Sequence, residues 1–116
     1  MGLNTLGETA TAIIEAGVDT SSAIDRGDRA FLGFYLGATA WTGTTFTLLA
    51  ASTPGGDFLP LVDEAGTALG AITVTLNARI TLPSAMLARV KAYRYLKIKS
   101  SANESAARAI EVSMGG

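Results

Sequence analysis

Arg26-Gly27-Asp28 is the first stretch of this chain whose residue types carry a chemical meaning of their own, because integrins read that tripeptide as an adhesion signal. Asp57, Asp63 and Glu64 form the one local gathering of acids, and loop oxygens of this kind can hold a calcium ion. Trp41, the single tryptophan, sits in a Gly/Thr-rich loop and offers a flat face to a sugar or a neighbouring subunit. Tyr93, Tyr95, Lys97 and Lys99 make a small basic-aromatic face of the sort on which nucleobases stack. Histidine and cysteine are both absent. Their absence removes the commonest general base at neutral pH, the usual transition-metal ligands, thiolate chemistry and disulfides. A nucleophile would need help from a carboxylate, lysine or tyrosine, and no partner is evident for paired-carboxylate glycosidic chemistry. The chain is therefore expected to be no enzyme, with no metal, cofactor or small-molecule substrate.

Each of these features also has a plain structural reading, and that reading is preferred. Asp25, Arg26, Gly27 and Asp28 lie between two strand-like runs, where Asp and Gly supply the positive φ and local capping of a turn. The acids at 57, 63 and 64 flank turn residues and face water. Trp41 plugs the end of a sandwich, with stacking on a ligand as the second reading. The lysines at 97 and 99 are too few for nucleic acid and mark a solvated strand face or a subunit contact. The closing Met114-Gly115-Gly116 resembles the end of a sulfur carrier, but those small domains have fewer strands and one substantial helix. Residues 115–116 are expected to be a flexible tail.

The elements that must position these residues are short β-prone runs broken by turn chemistry. Strands are expected at Glu8–Glu15, Val18–Ile24, Ala30–Leu36, Thr44–Ser52, Phe58–Val62, Gly70–Leu76, Arg79–Leu82, Tyr93–Ser100 and Ala107–Met114. Within Thr44–Ser52, Phe46, Leu48 and Ala50 share one face. Within Tyr93–Ser100, Leu96 and Ile98 oppose the tyrosines and lysines. Pro60 places its strand at an edge, since proline cannot donate to a ladder. Gly66 suits a left-handed hairpin position. Pro83–Ala92 is the one helical piece, with Ser84 as a possible cap. Eight or nine strands with one short helical connector define an all-β, antiparallel sandwich of jelly-roll kind over residues 9–114, preceded by an N-terminal arm, residues 1–8.

A chain of 116 residues is one domain large enough to bury a core. Nine basic and ten acidic residues, net −1, are scattered and leave no footprint for nucleic acid. Only 16% of residues are charged, against roughly a quarter in typical soluble domains, which points to surface covered by other subunits. No apolar run approaches the ~20 residues of a membrane span, and no signal peptide is legible. The protein reads as made in the cytoplasm and unprocessed.

Three segments together resemble small virion proteins of tailed bacteriophages: residues 21–52 (SSAIDRGDRAFLGFYLGATAWTGTTFTLLAAS), 55–67 (GGDFLPLVDEAGT) and 93–114 (YRYLKIKSSANESAARAIEVSM). Arg94-Tyr95-Leu96-Lys97-Ile98 also resembles the closing strands of discoidin-like sugar-binding sandwiches. The phage resemblance implies a capsid decoration or cement protein in the virion, seated on the outside of the head against the major capsid protein, as a homotrimer. It carries over no catalytic residue. Candidate contact residues are Leu3 and Leu6 of the arm, Trp41, Tyr93 and Tyr95. The alternative is a carbohydrate-binding β-sandwich module of a head fibre or tail, with Trp41 and the tyrosines as its platform.

Overall fold

Alternation of apolar and polar residues at a period of two dictates most of this architecture. The computed structural model describes residues 8–27, 29–62, 64–67, 69, 71–82, 84–90 and 92–115. Among them run β1 (Glu8–Ile14), β2 (Ile24–Asp25), β3 (Ala30–Tyr35), β4 (Thr45–Ala51), β5 (Leu59–Pro60), β6 (Ile72–Thr73), β7 (Arg79–Thr81), α1 (Ser84–Val90), β8 (Tyr95–Ser100) and β9 (Arg108–Gly115). One sheet has the order β1-β9-β3-β7. The other has the order β2-β8-β4-β5, with β6 also on β4. All pairings are antiparallel.

The pairings are nested. β1 takes β9, β2 takes β8, β3 takes β7, and β4 takes both β5 and β6. The chain is thus one long antiparallel ribbon bent double near residues 52–58 and rolled into two sheets. Counting β5 and β6 as two pieces of one strand gives the eight-stranded jelly roll that the strand spacing predicts. Pairs such as Glu8 with Met114 close nearly the whole chain, so non-local contacts dominate and slow folding is expected.

The core fills the gap between the sheets. Ala12, Ile14, Phe34, Ile110, Val112 and Met114 face inward from one sheet; Ile24, Phe46, Leu48, Ala50, Ile72, Leu96 and Ile98 face them from the other. Phe34 and Phe46 meet edge to face across the gap, with ring centroids 5.1 Å apart. The short helix adds Met86 and Val90, four residues apart on one face.

Several expectations need correction. Val18–Ile24 is not a strand; only Ile24 joins one. Ser21 and Ser22 use this stretch to step between sheets. The Ser21 amide donates to the Ile98 carbonyl, the Ile98 amide donates to Ser21 Oγ, and the Ser22 amide donates to the Ile13 carbonyl. One bridge to β8 remains, between Thr20 and Lys99, and the Ser21 and Ser22 hydroxyls supplement it. Gly115 is not a tail either: β9 runs through it and pairs it with Ala30. Glu8, expected both at the end of the arm and at the start of the first strand, is in the strand and pairs with Met114. Gly70–Leu76 shortens to Ile72–Thr73. β3 also breaks simple alternation, because its register against β9 slips between Phe31 and Gly33. Gly66 does adopt the left-handed φ expected of it, at +82°. Leu3, Leu6, Asp28, Asp63, Pro83 and Gly116 lie outside the described residues.

Candidate functional site

The Arg-Gly-Asp stretch is a turn whose arginine faces inward. Gly27 takes φ +57°, and the Arg29 amide donates to the Arg26 carbonyl. Arg26 is 9% exposed; its Nε donates to the Tyr93 carbonyl at 2.6 Å and its Nη1 to the Arg29 carbonyl at 2.8 Å. An adhesion signal must offer its guanidinium to a partner, and this one is spent on tying the turn to the segment before β8. Asp25 completes the turn by accepting from the Gly27 amide and from Arg94. The Arg94 guanidinium, with that amide, holds the Asp25 carboxyl below its usual range.

The most organised polar site lies at the other end of the sandwich and centres on Glu104, a residue the sequence reading leaves inside a loop. Its side chain is fully buried. Oε1 accepts from the Thr42 amide at 2.9 Å and from Arg108 Nε at 2.8 Å. Oε2 accepts from the Gly43 amide at 2.8 Å and from Ser100 Oγ at 2.7 Å. The Glu104 amide donates to the Val18 carbonyl, and the Gly17 amide donates to the Glu104 carbonyl. Burial alone would raise this carboxyl; Arg108, the Thr42 amide, Ser100 and the Gly43 amide outweigh it and bring it from 4.5 down to about 2. Such a group is a held anion, not a proton donor or acceptor for a substrate. Its four donors fill the lone pairs, so it anchors the loops before β2, before β4 and before β9 to one another. The sequence carries only one faint sign of it: Glu104 and Arg108 stand four apart.

Trp41 belongs to this closed end. It is half-buried against the core, 6.4 Å from Phe46 by ring centroids, and its neighbour Thr42 holds Glu104. Tyr93 and Tyr95 stand at the opposite end of β8, where Tyr95 pairs with Ala51. Arg94 lies 5.4 Å over the Tyr95 ring, and Lys97 lies 4.5 Å over Phe58. The structure therefore separates Trp41 from the tyrosines and builds no shared stacking platform from them.

The end that carries Tyr93 is open. A groove of about 620 Å³ runs between the end of β4, β5 and the segment after α1. Leu59, Val62 and Tyr93 line it and are exposed, Leu59 by 63%. Asp57, Glu64 and Arg89 line it as well, with Arg89 paired to Glu64. No three His, Cys, Asp or Glu side chains converge among the described residues. The groove mixes exposed apolar side chains with charged ones. Among the described residues no helix is long and apolar enough to cross a membrane. Compared with known protein families, with curated proteins and with solved structures, the chain matches none.

Proposed function

We propose that this protein is a virion structural protein: a decoration or cement protein that binds the outer surface of a phage head as a homotrimer and stiffens contacts with the major capsid protein. The observation that carries this reading is the open groove in which Leu59, Val62 and Tyr93 stand exposed among Asp57, Glu64 and Arg89. Residues of this kind at one end of a rigid sandwich suit docking onto another protein, and many shallow contacts add up over a shell. The resemblance of residues 21–52, 55–67 and 93–114 to phage virion proteins supplies the identity of that partner. The protein is made in the host cytoplasm under this reading and ends in the virion.

Co-sedimentation with expanded heads that lack the protein tests it. Saturable binding to heads, lost on replacing Leu59 and Val62 with aspartate, is the expected result; no binding by the folded wild type refutes the assignment. The carbohydrate-module reading needs Trp41 and the tyrosines to act together, and their separation at opposite ends of β8 weighs against it. Replacing Trp41 with alanine discriminates between the two, since a core plug loses stability while a stacking residue loses glycan binding with its fold intact.

A further inference from the structure

The sheet that holds β4 has a gap in its edge. β4 pairs with β5 through Leu49 and Ala50, and with β6 through Thr45 and Phe46. Between those pairings the chain swings away from β4 and returns. The Leu61 amide reaches the Leu48 carbonyl only at a long 3.4 Å, and the Leu69 amide donates to the Leu61 carbonyl at 3.3 Å. The stretch of β4 at Thr47 and Leu48 thus borders an opening.

A cavity of about 310 Å³ occupies this gap, and its walls come from both sides of the sheet. Thr47 and Leu49 belong to the outer face, whereas Leu48, Leu61 and Met86 belong to the core. The cavity therefore leads from the outer face of the sheet toward the hydrophobic interior. Lys99, which pairs with Thr47 across the ladder, is the one charged residue in its lining. Lys99 is exposed and makes no ion pair among the described residues. A lysine so placed lays its methylenes along an apolar wall and keeps its ammonium in water. The acid nearest in the fold, Asp19, lines a separate hollow on the other side of Lys99, and its Oδ1 accepts from the Thr20 hydroxyl.

We propose that this cavity binds the alkyl chain of a medium-chain fatty acid, with the carboxylate held at the Lys99 ammonium. Apolar cavities lined by side chains of this kind stay dry and take apolar guests; one of about 150 Å³ suffices for benzene. At roughly 30 Å³ for each water-sized group, the present cavity holds about ten heavy atoms, the size of octanoate. The single charge in the lining is positive, so it suits an anionic head and repels an ammonium. The cavity shares only Pro60 and Leu61 with the open groove at Tyr93. Its occupancy is therefore separate from docking at that groove and stands or falls independently of head binding.

Calorimetric titration of the full chain with octanoate, octanol and octylamine tests this, with the site located by amide shifts in NMR spectra. Octanoate is expected to bind one to one, to shift the amides of Leu48, Leu49, Leu61, Leu69 and Ala71, and to bind at least tenfold tighter than octylamine. Hexanoate, two methylenes shorter, is expected to bind roughly 15-fold more weakly. Lys99→Gln changes an exposed side chain and is expected to weaken octanoate at least fivefold while leaving octanol unchanged. Leu69→Trp fills the cavity and is expected to abolish binding of both. Its melting temperature reports whether it folds, and Thr47→Trp blocks the same cavity from the outer face if it does not. A folded wild type that takes up no octanoate overturns the proposal. So does octanoate that shifts the amides around Tyr93 instead, or a Lys99→Gln chain that binds octanoate as tightly as wild type.

Discussion

The two ends of β4 and β8 are built on opposite principles. At one end, Ser100 closes β8 against a buried carboxylate whose four donors come from Thr42, Gly43, Ser100 and Arg108. At the other, Ala51 and Tyr95 open onto a groove where Leu59, Val62 and Tyr93 meet solvent. The first end satisfies every polar group it buries and holds three loops still. The second leaves apolar surface uncovered. A domain that had only to fold would gain by covering that surface. The contrast puts the buried polar anchor at the Glu104 end and the uncovered apolar side chains at the groove.

Removing the carboxylate strikes the contrast hardest. Glu104→Ala leaves Arg108 buried beside nothing and strands the Thr42 and Gly43 amides, and a loss of about 3–5 kcal/mol is expected in urea melts. Acid tests the same group without mutation. Its folded pKa of about 2 lies below the ordinary 4.5, so the unfolded chain binds more protons in between. The contribution is fully present above pH 4.5 and is lost as pH falls toward 2, roughly 3 kcal/mol in all. Wild type should show this slope between those limits, and Glu104→Gln should flatten it.

Gly43→Ala probes the cradle more gently. An added Cβ would sit 2.0 Å from Ser100 Oγ and 3.2 Å from Glu104 Oε2. Ser100 can yield only by giving up its bond to the carboxylate, so about 1–3 kcal/mol is expected by thermal melt. The smallest effect on folding belongs to the groove. Leu59→Asp with Val62→Asp should leave stability within about 0.5 kcal/mol, because both side chains are exposed. The same pair should abolish head binding. A large fall in stability there, or a harmless Glu104→Ala, would dissolve the division between the ends.

How much of this was legible beforehand varied with the range of the forces involved. β8 and the first half of β4 alternate so cleanly that Phe46, Leu48, Leu96 and Ile98 identified themselves as core, and burial agrees. Pro60 marked an edge and Gly66 a left-handed turn, each through a constraint internal to one residue. Val18–Ile24 misled because a run of Ser and Thr reads as strand by propensity, while its hydroxyls bond to β1 and β8 instead. The groove was half visible: Tyr93 was a candidate, but Leu59 and Val62 looked like ordinary strand residues. Glu104 was invisible because two of its four donors stand 61 and 62 residues away.

By itself the sequence determined the period-two pattern, the punctuation between strands, and the absence of imidazole and thiol chemistry. These follow from side-chain type and nearest-neighbour spacing, which act before any long-range contact forms. Only the tertiary structure decided that Arg26 turns inward, that Trp41 and Tyr95 part company, and that Glu104 becomes a buried anchor. Each of these depends on which distant strand arrives alongside, and the nested ribbon brings together residues nearly the full chain apart.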